Sequence, residues 1–156
     1  MILQRDKRNR REIQEEGCNF TSYLALGEII QGGQFSFGPA ELEECYQLAT
    51  SQGWMTRRCF INGAGPNDPD WMTGHMKLLF LTGVRPLGSF VTGPEYTPKD
   101  GEFEVVQYAL GDYRHFVVGD GKGGVAFDPW GSFDGRHIHS KAVTYGKPVA
   151  KRIIQI

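Results

Sequence analysis

A chain of 156 residues, 40% apolar and 22% charged, has the length and composition of one folded domain with a real hydrophobic core. Seventeen basic against eighteen acidic side chains leave a formal net charge of −1, which offers no broad field for nucleic acid or an anionic membrane. No run approaches the ~20 apolar residues of a membrane span, and Met1 to Lys7 holds no apolar stretch able to act as a signal peptide.

The first twelve residues are expected to form a charged arm, since Lys7-Arg8-Asn9-Arg10-Arg11 is followed at once by Glu12, Glu15 and Glu16. From Cys18 to about Ile30 the spacing predicts a helix. Phe20, Tyr23, Leu24, Gly27 and Ile30 follow its period, while Leu26 and Ile29 widen the apolar face, so the helix should be buried on more than one side. Gln31-Gly32-Gly33 stops it. A second helix is expected from Pro39, suited to a first helical position, to about Ser51, with Gly53 as terminator.

Met55 to Ile61 reads as a short strand, and Gly63 to Asp70 as a loop. Trp71 to about Leu81 reads as a third helix. Strands follow at Ser89-Phe90-Val91, Phe103 to Leu110, His115 to Val118, Val125 to Asp128 and Val149 to Ile156. Helices first and strands afterwards predict an α+β domain with N-terminal helices packed on an antiparallel sheet. The stretch from Gly83 to Gly101 is long enough to act as a lid.

Cys18 opens the first helix directly after Gly17. Unpaired amides and the partial positive charge of a helix start favour a thiolate there, and Gly17 leaves room for a substrate carbonyl. Glu15 and Glu16 place negative charge nearby and act the other way, so a cationic partner is needed from elsewhere. The plainer reading is a small apolar residue at the start of a core helix. Cys45 and Cys59 read as buried structural thiols, and the spacing of the three cysteines fits no zinc ribbon or finger. Free thiols suit a reducing cytoplasm.

The partner is expected on the hairpin His115-Phe-Val-Val-Gly-Asp-Gly-Lys-Gly-Gly-Val-Ala-Phe-Asp128. A turn centred between Gly121 and Lys122 sets Val118 opposite Val125, Phe116 opposite Phe127 and His115 opposite Asp128. Opposed residues share a face, so the register brings a carboxylate to an imidazole unless a bulge intervenes among the glycines. An imidazole oriented by a carboxylate is the base half of a catalytic triad, and equally a structural cross-strand pair.

Gly17-Cys18 opening a buried helix, then His-Phe-Val-Val and Val-Ala-Phe-Asp-Pro-Trp-Gly strands, resembles papain-like cysteine peptidases, above all the bacteriocin-processing, C39-like branch. The resemblance implies a papain-like fold over residues 1–156. It also implies Cys18 as nucleophile, His115 as general base and acid, and Asp128 as the acid that orients it. It further implies a peptide, isopeptide or peptidoglycan-stem amide as substrate, no cofactor, and a bacterial or phage setting. The family's oxyanion glutamine is missing: the position six residues before Cys18 is Glu12, and the nearest glutamine is Gln14. Gln14 or Asn19 could serve, or the Cys18 amide could act with little help, and Gln14 reads equally as a plain surface residue. Trp130 lies just beyond the triad, as a shield or a cleft wall, while Trp54 and Trp71 are core or cleft-wall residues.

Weaker signals point elsewhere. His137-Ile138-His139 alternates like a strand and, with Asp134, suggests a metal site, although an exposed polar face explains it better. His75 is expected on a helix surface or satisfied in packing. The glycine-rich stretch 119–124 lacks phosphate-loop spacing. Two rivals to a cysteine hydrolase remain open. One is a catalytically silent papain-like module that binds a protein partner; the other is a metal-dependent hydrolase using His115, His137 or His139 with Asp128.

Overall fold

Glycine and proline punctuate the helices of the computed structural model, which describes residues 3–33, 36–62, 73–131 and 139–156. Helix α1 spans Arg11–Glu16 and α2 spans Cys18–Ile30, separated only by Gly17. A Cβ at Gly17 would lie 2.6 Å from the Ile13 carbonyl oxygen, so only glycine lets the chain bend this tightly between the two helices. Every residue of α2 from Asn19 to Glu28 is buried, as expected of a helix apolar on several sides. Gly32 and Gly33, with φ of 66° and 76°, end it.

Helix α3 spans Pro39–Ser51, with Glu41 accepting the Gly38 N–H at 3.0 Å. Gly53, with φ of 72°, follows its end. Helix α4 spans Thr73–Leu81 and packs on α2. The strands are β1 (Gly88–Thr92), β2 (Glu102–Leu110), β3 (Tyr113–Gly119), β4 (Val125–Phe127) and β5 (Lys147–Gln155), with a short helix α5 (Lys141–Tyr145) before the last. They form one antiparallel sheet in the order β1-β5-β2-β3-β4. The α+β class is therefore observed. Among the described residues, no helix is long and apolar enough to cross a membrane.

Period-two alternation sends the strands' side chains into two cores. Val105, Val118, Phe127 and Ile154 join the main core with α2. Val106, Tyr108 and Val117 face the other way and pack on Ala142 of α5. On that second face, buried Glu104 and Lys151 pair at 2.8 Å.

Two local expectations differ from the structure. Met55 to Ile61 is not a strand; a single bridge joins Met55 to Ile61 around a tight loop in which Cys59 takes a φ of 62°. Residues 3–10 keep Arg5, Lys7 and Arg8 exposed, as a solvated charged face should, but they do not form a free arm. Buried Asn9 donates from Nδ2 to the Leu3 and Gln4 carbonyls, and buried Gln4 donates from Nε2 to the Gln14 carbonyl, so two polar side chains tie the segment down. The strand expected at Ser89-Phe90-Val91 is the edge strand β1, paired along its length with β5, so the 83–101 stretch is not one continuous loop. The 63–70 loop and Trp71 lie outside the described residues.

The close packing of α2 on the chain after α4 has a testable cost. A Cβ at Gly27 would collide with the Thr82 side chain. Gly27→Ala should therefore destabilise the protein by about 1–3 kcal/mol, read as a lower midpoint in thermal unfolding.

Candidate active site

Three separate parts of the chain converge at the start of α2. Cys18, half-buried, lines a cavity of about 380 Å³ together with Asn19, Phe60, Ile61, Tyr113 and Phe116. His115 comes from β3, whose first half is flanked by β2 but not by β4, because β4 pairs only with Val118 and Gly119. Asp128 follows the last residue of β4.

The hairpin reaches this arrangement by a register other than the expected one. Val118 pairs with Phe127, not Val125, and the ladder shifts between Val118 and Gly119. The displacement at Val118 is two residues, so it preserves which face each side chain takes. Continuing that register would set Asp128 opposite Val117, diagonal to His115 and within side-chain reach. The glycines of the turn, with φ of 73° at Gly121 and 89° at Gly123, accommodate the irregularity.

His115 Nε2 stands 2.6 Å from Asp128 Oδ1, and both side chains are buried. The carboxylate accepts two further bonds, from the Trp130 amide at 3.0 Å and the Ser140 amide at 2.8 Å. Burial alone would raise the Asp128 pKa, but the bonds from His115 and Ser140 outweigh it and hold the group below its ordinary 3.8. Burial likewise opposes a charged imidazole. Hydrogen bonding to Asp128 and to Cys18 overcomes it and raises His115 from 6.5 to about 9. With Asp128 on Nε2, the other ring nitrogen remains available to the sulfur: Nδ1 is buried and has no hydrogen-bond partner among the described residues.

An aromatic wall covers the pair. The Trp130 ring lies 4.9 Å from the His115 ring and stacks on Tyr113 at 5.0 Å, with the Arg5 guanidinium 3.8 Å above the indole. Trp130 lines a second cavity, of about 540 Å³, with Arg5, Phe37 and Pro129. Cys18 therefore opens to one cavity and Trp130 to the other.

The oxyanion candidates fare differently. Gln14 lies on α1, and its amide donates to the Asn9 carbonyl at 2.6 Å, away from the Cys18 cavity. Asn19 lines that cavity beside Cys18. Gly17 is absent from the cavity wall, and its bare Cα serves the contact with Ile13. Of the metal candidates, His139 is exposed, while Asp134 and His137 lie outside the described residues. No group of three or more potential ligands occurs among the described residues.

Several neighbours escaped sequence reasoning. Tyr113 shares the strand face of His115 two positions away, a period-two signal that could have found it. Arg152 enters the cavity from β5, its guanidinium 4.6 Å from the Phe116 ring, and Arg5 reaches Trp130 from the N-terminal segment. Nothing local to either residue signals these positions. Cys59, on the wall of the same cavity, was read only as a structural thiol.

Compared with family models, curated proteins and solved structures, the chain finds no match.

Asp128→Ala would leave the His115 ring and two amides without their acceptor, so it should cost about 3 kcal/mol or more in chemical denaturation. The His115 pKa, followed by NMR, should fall because burial is then opposed by Cys18 without Asp128. Proton linkage fixes the wild-type pH dependence. His115 is raised on folding, so its contribution is full below pH 6.5 and is lost as pH climbs through about 9. Asp128 is lowered, so its contribution is present above pH 3.8 and is lost on acidification below that. Unfolding free energy should thus decline between pH 6.5 and 9, with a shallower decline in Asp128→Ala.

Proposed function

We propose that this protein is a thiol hydrolase that cleaves an amide, built as a papain-like domain of the C39-like kind. The observation carrying the reading is the division of the His115 ring. One nitrogen is held by a buried carboxylate, and the other is left for a sulfur at the tip of α2 on a cavity wall.

In this reading the Cys18 thiolate attacks the carbonyl carbon, forming a C–S bond and moving an electron pair onto the oxygen. The His115 imidazolium gives its proton to the leaving amine as the C–N bond breaks. Water then attacks the thioester, His115 takes its proton, and a carboxylic acid leaves as the thiolate is restored. Asp128 keeps the ring oriented and charged. Asn19, beside Cys18 on the cavity wall, is the nearer oxyanion donor. A peptide, an isopeptide or a peptidoglycan-stem amide would use the same groups. The free thiols fit a reducing cytoplasm, as of a bacterium or a phage-infected host.

One observation favours a second reading, a catalytically silent module that binds a protein partner: the His115 side chain is fully buried beneath Trp130. Cys18→Ala separates the two. The hydrolase reading expects a loss of at least ~10³-fold in the release of new amino termini from a peptide and peptidoglycan-stem substrate set. The silent module expects partner binding to survive and no turnover in either form.

Thiol chemistry gives an independent check. Burial pushes Cys45 up to about 11 and Cys59 up to about 12, so neither should react with iodoacetamide at pH 7. Cys18 should label at least ~10-fold faster than either. Equal, slow labelling of all three would sink the hydrolase reading. Turnover should also fall as pH rises through about 9, where His115 loses the proton the leaving amine requires.

A further inference from the structure

Among the buried titratable groups that the Cys18 mechanism leaves unused, one faces the residue next to the sulfur. His75 on α4 is fully buried, and its Nε2 lies 3.4 Å from the Asn19 amide nitrogen. Burial, with the nearby positive charge of Arg152, pushes its pKa down to about 3, so the ring is neutral and offers a lone pair. An uncharged histidine facing the residue next to the sulfur can hold its amide by a hydrogen bond at Nε2 without bringing charge to the site.

The position of this ring is tightly fixed. A Cβ at Gly74 would lie 2.5 Å from the Trp54 carbonyl oxygen, so the start of α4 is pressed against the preceding loop. Beyond its end, Thr82 sits where a Cβ on Gly27 of α2 would go. The ring also packs on Tyr23 of α2, centroids 4.8 Å apart. These contacts hold the His75 ring against Asn19. Asn19 is itself buried, and its Oδ1 has no partner among the described residues. Either orientation of the amide leaves an N–H that His75 does not use, on a side chain in the wall of the Cys18 cavity.

We infer that His75 is a positioning residue that locks the Asn19 amide so that its remaining N–H meets the oxyanion formed when Cys18 is acylated. The inference rests on the hydrolase reading. It supplies the donor that Glu12 and Gln14 do not. An oxyanion donor acts only where charge develops on a carbonyl oxygen. It should therefore matter for acylation and not for alkylation, in which no oxyanion forms.

The test compares two reactions of Cys18 in the full chain. Acylation by p-nitrophenyl acetate is read as the p-nitrophenolate burst, in which the thiolate forms a thioester as the phenolate leaves. Alkylation by iodoacetamide is read by mass. Asn19→Ala should slow acylation by about 10²-fold. His75→Phe, which keeps the ring shape without the acceptor, should slow it roughly 10- to 100-fold. His75→Gln, which restores an acceptor, should recover much of that loss. Alkylation of Cys18 should change less than about two-fold in all three variants. In the Asn19→Ala background, His75→Phe should add little, because the two act as one unit.

Acylation by His75→Phe at the wild-type rate would overturn the inference and leave the hydrolase reading standing. So would multiplicative losses in the double variant. Parallel loss of acylation and alkylation in both His75 variants would assign the residue to packing and overturn it likewise. No burst from a wild-type protein whose Cys18 alkylates readily would remove both readings.

Discussion

A carboxylate with almost no access to water governs this molecule. Asp128 could not stay ionised in the interior without donors, because an uncompensated buried charge costs several kcal/mol. It receives an imidazole ring N–H and two backbone amides. Those donors belong to β3, to the turn after β4 and to the residue that caps α5. One side chain thus fixes the path of the chain on both sides of residues 132–138. The dependence is mutual: the bond that keeps the carboxylate charged also keeps the ring protonated.

That ring stands where two kinds of surface meet. Tyr113 belongs to the Cys18 cavity and Trp130 to the neighbouring one, and their stacked rings form a wall between the two. The wall explains how an imidazole can be fully buried beside a half-buried sulfur. Low dielectric on the His115 side strengthens its bond to Asp128, while the sulfur keeps a path to solvent. The Arg5 guanidinium over the indole ties the N-terminal segment to this wall, which gives the folded course of residues 3–10 a role in the site's geometry.

The helix bounds at Cys18–Ile30 and Pro39–Ser51 were legible because local signals agreed there: Gly17 and Gly32-Gly33 around one, Pro39 and Gly53 around the other. Strands β1, β2, β3 and β5 were legible from β-forming residues to within a few positions at their ends. Met55 to Ile61 misled because its buried residues Met55, Cys59 and Ile61 belong to a largely exposed loop held by hydrogen bonds between Thr56 and Phe60. Short helices α1 and α5 escaped notice because six and five residues carry too little periodicity to read. For the hairpin, residue types named the pair His115 and Asp128. The register drawn from them was two residues out at Val118, and only the parity of the shift kept the two side chains on one face.

What the sequence determined by itself was therefore the local grammar: where helices begin and end, which strands alternate, and which three residues are the candidates for chemistry. Tertiary structure decided which of their neighbours can take part. Gln14 is closer to the expected oxyanion position in sequence, yet its amide is committed to Asn9, whereas Asn19 reaches the cavity and meets His75 from another helix. The physical reason is that helix caps and strand alternation depend on residues a few positions apart. The partners of a buried polar atom depend on which distant segments share its low-dielectric surroundings, and no local pattern encodes that.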